Sequence, residues 1–209
     1  MSDAHLRVDR LYSRFDLTAP LGLAAFCRAN ENALRTIRFP APSAARAAED
    51  RAAPSQSASL DGAPHPIDTA PMIAALQADR QTLGDDTPLP PLDGLAMSPH
   101  RVAVAYILLG SRLGTQVLRR DWAQSDDLRV QGAGRYFALP PLTAEWRRLV
   151  ADLDTQPTAS AEAQQILTDA EAIFDLFARA AQLELARLGL DAPDDEPGDV
   201  TDAEADPQT

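Results

Sequence analysis

SPHRVAVAYILLGSRLGTQVLRRD, residues 98–121, is the stretch from which the fold is read. Ser98 followed by Pro99 is a helix start, since the hydroxyl accepts an orphan amide hydrogen bond and proline is tolerated in the first turn. From Val102 to Leu109 nearly every residue is apolar, which leaves that half no face for water and predicts a helix through the middle of the fold. Gly110 and Gly114 lie four apart, hence on one face, and each costs about 1 kcal/mol relative to alanine inside a helix. Two such costs on one face imply a close approach to the backbone, by another helix or by a bound ligand. Spacing alone leaves both open.

Outward from that helix, 209 residues suffice for one domain with a buried core. Alanine- and arginine-rich segments, with few aromatic or β-branched runs and no clear alternation, predict an all-α class. No stretch is apolar for long enough to span a bilayer, and MSDAHLRVDR lacks the hydrophobic centre of a secretory signal, so a cytoplasmic protein with no membrane partner is expected. Cys27 is the single cysteine, which excludes an internal disulfide and a cysteine-rich metal cluster. All 19 basic residues are arginine. Of the net charge of −12, the last nineteen residues (191–209) contribute eight acids and no base, and the remainder carries −4. No basic surface dominates, so nucleic acid is not an expected partner.

Hydrophobic spacing predicts a first helix over 3–15, on which His5 and Asp9 share a face. A second runs from Thr18 to about Ile37, burying Leu23, Phe26 and Leu34 and offering Asn30, Glu31 and Asn32 to water. Residues 42–66, rich in alanine, serine and proline, read as a flexible insertion, with Ala44 to Ala53 able to form a short helix. Asp68 or Thr69 caps a third helix to Leu83, and Asp85 to Met97 is a proline-rich connector. Trp122 to Ala138 reads as a loop with room for a short helix; its Gly132 and Gly134 lack the strand and third glycine of a dinucleotide loop. Thr143 caps a helix to Asp154, and Ser160 or Thr158 opens the last long helix, which Gly189 ends. One helical domain over 1–190 and a disordered acidic tail over 191–209 are expected.

Several phrases, in order, resemble one family. LGSRLGTQVL (109–118), together with Tyr106, is similar to the distal-helix motif of heme oxygenases. Bacterial members read Tyr-Val-Leu-Glu-Gly-Ser-x-Leu-Gly-Gly and animal members Leu-Gly-x-x-x-Gly-Gly-Gln-Val-Leu. Leu109 agrees with the animal form, and Thr115 replaces the second glycine of the pair. SDAHLRVDRLYSRFDLTAPLGLAAFCRANENAL (2–34) resembles the opening of bacterial members, LQADRQTLG (76–84) the segment before the distal helix, EWRRLVADLD (145–154) a helix with a propionate-pairing base, and DAEAIFDLFARA (169–180) the closing helix.

The resemblance implies a heme oxygenase-like multi-helix bundle with heme between the helix of His5 and the glycine-containing distal helix. His5 falls on the family's proximal iron ligand and Asp9 on the acid that orients it. Family members have another turn or two before that histidine, whereas four residues precede His5. Arg147 falls on the propionate partner, where arginine's planar fork suits a carboxylate. Phe174 borders the pocket. Gly110 and Gly114 bring bare backbone near the iron, and Ser111 is a candidate to anchor an ordered water. His100, about 15 Å from Gly110 along the helix, is too far to share that task. Heme would be both substrate and cofactor, consumed with O2 to biliverdin, carbon monoxide and iron. With no intrinsic flavin or iron–sulfur motif, electrons would come from a ferredoxin or flavodoxin-type reductase, and a bacteriophytochrome is a possible bilin acceptor. A non-catalytic heme- or bilin-binding protein of the same fold, acting as sensor, carrier or interaction partner, is the alternative. A helical enzyme of the thiaminase or quinone-cofactor type is a third, and no clustered Cys, His and acid set supports it.

Overall fold

A computed structural model describes residues 3–37, 67–92, 99–155, 157 and 159–190. Among them are eight helices and no strand: α1 (Asp3–Tyr12), α2 (Pro20–Thr36), α3 (Ala70–Leu83), α4 (Arg101–Trp122), α5 (Leu128–Gly132), α6 (Arg135–Ala138), α7 (Thr143–Asp154) and α8 (Ala161–Arg187). The protein is all-α. The insertion and short helix expected within 42–66, the acidic tail and Ser98 lie outside the described residues.

Helix α2 packs on α3 and α8, α1 packs on α8, and α4 packs on α8 and α7. The apolar run of α4 suggested that this helix occupies the middle; the more enclosed helix is α2, buried without interruption from Gly22 to Leu34. Asn30, Glu31 and Asn32, expected on its wet face, are therefore inside. They are tolerated because their polar atoms are paired. Glu31 accepts from Arg80 at 2.7 Å, Arg35 at 2.8 Å and Gln77 at 2.9 Å, and Asn32 donates to the carbonyl of Pro90 at 2.9 Å. Arg80 also donates to Asp85, which accepts from Arg28, which in turn donates to Glu184 on α8 at 2.7 Å. This chain of ion pairs ties α2, α3, α8 and the start of the connector together.

Several helix ends differ from expectation. Helix α1 ends at Tyr12, three residues early, and Thr18 does not cap α2: its amide and hydroxyl donate to Asp16 Oδ1 at 2.9 and 2.6 Å, and Ala19 precedes the helix. The turn lies so close to α2 that a Cβ on Gly22 would sit 2.2 Å from the Asp16 carbonyl oxygen, so only glycine fits. His100 caps α4, accepting from the Val102 amide through Nδ1 at 3.3 Å, while its own amide donates to Asp169 at 2.6 Å. Thr143 is the first residue of α7 and not its cap; that place is held by Leu142, at φ 52°. Ser160 caps α8 as expected, and Gly189, at φ 71°, closes it. The loop expected over 122–138 contains α5 and α6. Asp79 of α3 holds α6 in place by accepting the Arg135 and Tyr136 amides, both at 2.9 Å. Burial raises its pKa, and those bonds oppose the shift only in part.

Candidate functional site

The packing of α1, α4, α7 and α8 leaves a cavity of about 1140 Å³. Its walls follow from helical periodicity. His5, Val8, Asp9 and Tyr12 recur at i, i+3, i+4 and i+7 on α1, and Tyr106, Gly110, Gly114 and Val117 form one stripe of α4. This stripe is the part of α4 not covered by the core, which explains why Tyr106 is 40% exposed and Val117 60%. Trp146 and Leu153 of α7 and Ile166, Ala170, Phe174 and Phe177 of α8 complete an apolar lining.

The structure brings six of the seven site residues singled out in the sequence into this cavity: His5, Asp9, Gly110, Ser111, Gly114 and Phe174. The seventh, Arg147, is exposed on α7 and is not among the lining residues. His5 Nε2 lies 3.7 Å from Asp9 Oδ2, an ion-pair distance and longer than a hydrogen bond, and its ring centroid is 5.2 Å from that of Phe174. Asp9 is therefore close enough to orient the imidazole. Among the described residues, an added Cβ at Gly114 would meet nothing within 4 Å, and at Gly110 it would meet only Trp146, at 3.4 Å. Packing among those residues requires neither glycine. Ser111 donates to the Leu108 carbonyl at 2.9 Å, which fixes its hydroxyl and leaves the oxygen's lone pairs as acceptors.

Sequence reasoning missed four features. Arg112, 1% exposed, sits behind the α4 wall and donates to the carbonyls of Leu139 at 2.6 Å, Tyr136 at 3.3 Å and Pro140 at 3.4 Å, fastening that wall to the segment after α6. Tyr136 and Tyr12 contribute two buried phenols to the lining. Burial raises both pKa values, well above the ordinary value for Tyr12, so both stay protonated. Trp146 lies beside Gly110. The cavity's charged lining is also one-sided: among the described residues Asp9, Glu162 and Glu171 line it, and no arginine does. Periodicity around His5 and Gly110 would have pointed to Tyr12; the others depend on long-range packing.

The fit of a heme is mixed in an informative way. A largely apolar space of about 1140 Å³ lined by an imidazole and by two helical glycines suits the macrocycle. The acidic rim does not attract propionates. Among the described residues no group of three or more His, Cys, Asp or Glu is arranged to hold a metal ion, and no helix is long and apolar enough to cross a membrane. No protein-family model, curated protein or solved structure matches the chain.

Proposed function

We propose that the cavity binds heme through His5 and that the chain is a heme oxygenase, converting heme with O2 and external electrons to biliverdin, carbon monoxide and iron. One observation carries this: His5 and the glycine pair Gly110 and Gly114, 105 residues apart at their nearest in the sequence, line one cavity, and packing among the described residues needs neither glycine. Two helical glycines without an internal reason imply an external one. The resemblance in sequence supports the same ligand.

When bound, heme supplies the iron that takes up electrons and dioxygen and is itself the molecule opened. The residues of the chain divide the remaining work. His5 would hold the iron through a ring nitrogen, and Asp9, on the next turn with Oδ2 3.7 Å from Nε2, stands close enough to bias the direction of the ring. Phe174 packs against the imidazole from the side. Gly110 and Gly114 bring no side chain of their own to the cavity, so that α4 presses no strong acid against the site there. Ser111, fixed by Leu108, is positioned to receive a hydrogen bond from a water in the cavity. The largely apolar lining offers water few partners elsewhere. Arg147 serves a propionate only if the carboxylate extends beyond the cavity to α7.

Purified protein given hemin, ferredoxin, ferredoxin reductase and NADPH is expected to show a histidine-ligated Soret band that decays with appearance of biliverdin. A specific observation also favours the alternative of a heme- or bilin-binding protein without turnover: the Trp146 indole covers part of the glycine face. A Soret band stable under reduction and air would select that alternative, and no band would reject both.

A further inference from the structure

We infer that Trp146, backed by Tyr106, is the stacking wall that selects a flat conjugated ring for this cavity, a role that rests on the tetrapyrrole reading above and adds to it a residue to which that reading gave no task. Trp146 lies in the first turns of α7 and is only half-buried, although indole is among the largest apolar groups a core can use. Its ring atoms Cζ3 and Cη2 come within 3.4 and 3.6 Å of the place where a Gly110 Cβ would be, so the ring is seated beside the glycine face. Its centroid is 5.2 Å from that of Tyr106, inclined at 43°, and both rings line the cavity. Tyr106 is itself 40% exposed. Two adjoining aromatic faces are thus left without a full complement of neighbours at the site where the backbone is bare.

The other tryptophan shows what a purely structural indole looks like in this chain. Trp122 donates from Nε1 to the Val130 carbonyl at 2.8 Å and packs so closely on Gly134 that a Cβ there would lie 2.5 Å from its ring. It does not line the cavity. The structure records no such bond for Trp146. Aromatic rings left open beside a largely apolar cavity favour offset stacking with a second π system, which is worth more than the contact area alone.

The test is a pair of titrations, with hemin and with metal-free protoporphyrin IX, on the full chain and its variants. The metal-free ring stacks as hemin does and has no iron for His5 to ligate. Trp146→Ala is expected to weaken both probes about tenfold, Trp146→Phe to restore most of the loss, and Trp146→Leu, which keeps apolar bulk without a π face, to restore little. Trp122→Phe is expected to bind both probes as the parent does. Equal affinity of parent and Trp146→Ala for both probes, or full restoration by leucine, overturns the stacking role. Protoporphyrin binding that depends on Trp146, with hemin binding no tighter and indifferent to His5→Ala, would keep the stacking wall and overturn heme ligation. Failure of the parent to bind either probe overturns both.

Discussion

In one region of the bundle, Glu31, Arg80, Asp85, Arg28 and Glu184 close into a buried chain of ion pairs; in another, Asp9, Glu162 and Glu171 line an open cavity to which, among the described residues, no arginine contributes. The difference lies in what each charge is for. On the closed side every carboxylate oxygen of Glu31 and Asp85 has a donor, so those charges are spent on holding α2, α3, α8 and the connector in register. On the cavity side the carboxylates remain exposed and helical glycines are retained at a cost in stability. Stability and ligand binding are thereby carried by different regions, and substitutions should separate them.

The largest effect belongs to the closed side. Arg80→Ala takes the donor from one oxygen each of Glu31 and Asp85 and is expected to reduce the free energy of unfolding by about 3–5 kcal/mol, read from urea denaturation. Hemin affinity per folded molecule should be unchanged; a parallel loss would mean that the two regions are not separate. The next effect runs the opposite way. Gly110→Ala and Gly114→Ala should each raise stability by about 0.5–1 kcal/mol, because a Cβ meets no clash at either place, while weakening hemin binding. Loss of stability in either variant would show that packing needs the glycine after all.

Smaller still is the effect of the acidic rim. Replacing Glu162 and Glu171 together by glutamine should tighten hemin binding severalfold in dilute buffer, with the gain shrinking as salt is added. Unchanged affinity at low salt would place the propionates away from these residues. The smallest effect is a pH dependence. Burial pushes the Asp85 carboxyl up, but hydrogen bonds from Thr87, Arg80 and Arg28 outweigh it and hold the pKa below the ordinary 3.8. A depressed carboxylate stabilises the fold above its ordinary value, and that contribution is lost as pH falls through the lower, folded value. The acid limb of the stability curve should therefore flatten in Arg80→Ala, where part of the depression is gone.

Much of this was legible from the chain because it depended on local spacing. The helices, the Ser160 cap and the Gly189 stop are set by neighbours within a few residues. The lining face of α1 was visible in the i, i+4 placement of His5 and Asp9, although pairing it with Gly110 needed the family resemblance. The buried network was not legible: Asn30, Glu31 and Asn32 look like a solvated face until Arg80 and Gln77, more than forty residues on, meet Glu31 and the Pro90 carbonyl meets Asn32. The same limit hid Arg112, whose acceptors are backbone carbonyls that carry no sequence signature. Arg147 shows the converse. Its chemistry suits a propionate, but the turn of α7 that directs Trp146 and Leu153 into the cavity leaves the next residue outside.

The central claim is that an imidazole on α1 and bare backbone on α4 enclose one ligand with an iron at its centre. Absorbance titration of hemin into the parent, His5→Ala and His100→Ala tests it most directly. The parent and His100→Ala should share one histidine-ligated Soret band, and His5→Ala should lose it while remaining folded, since His5 lies at the partly exposed start of α1. A His5→Ala spectrum identical to that of the parent would contradict the claim.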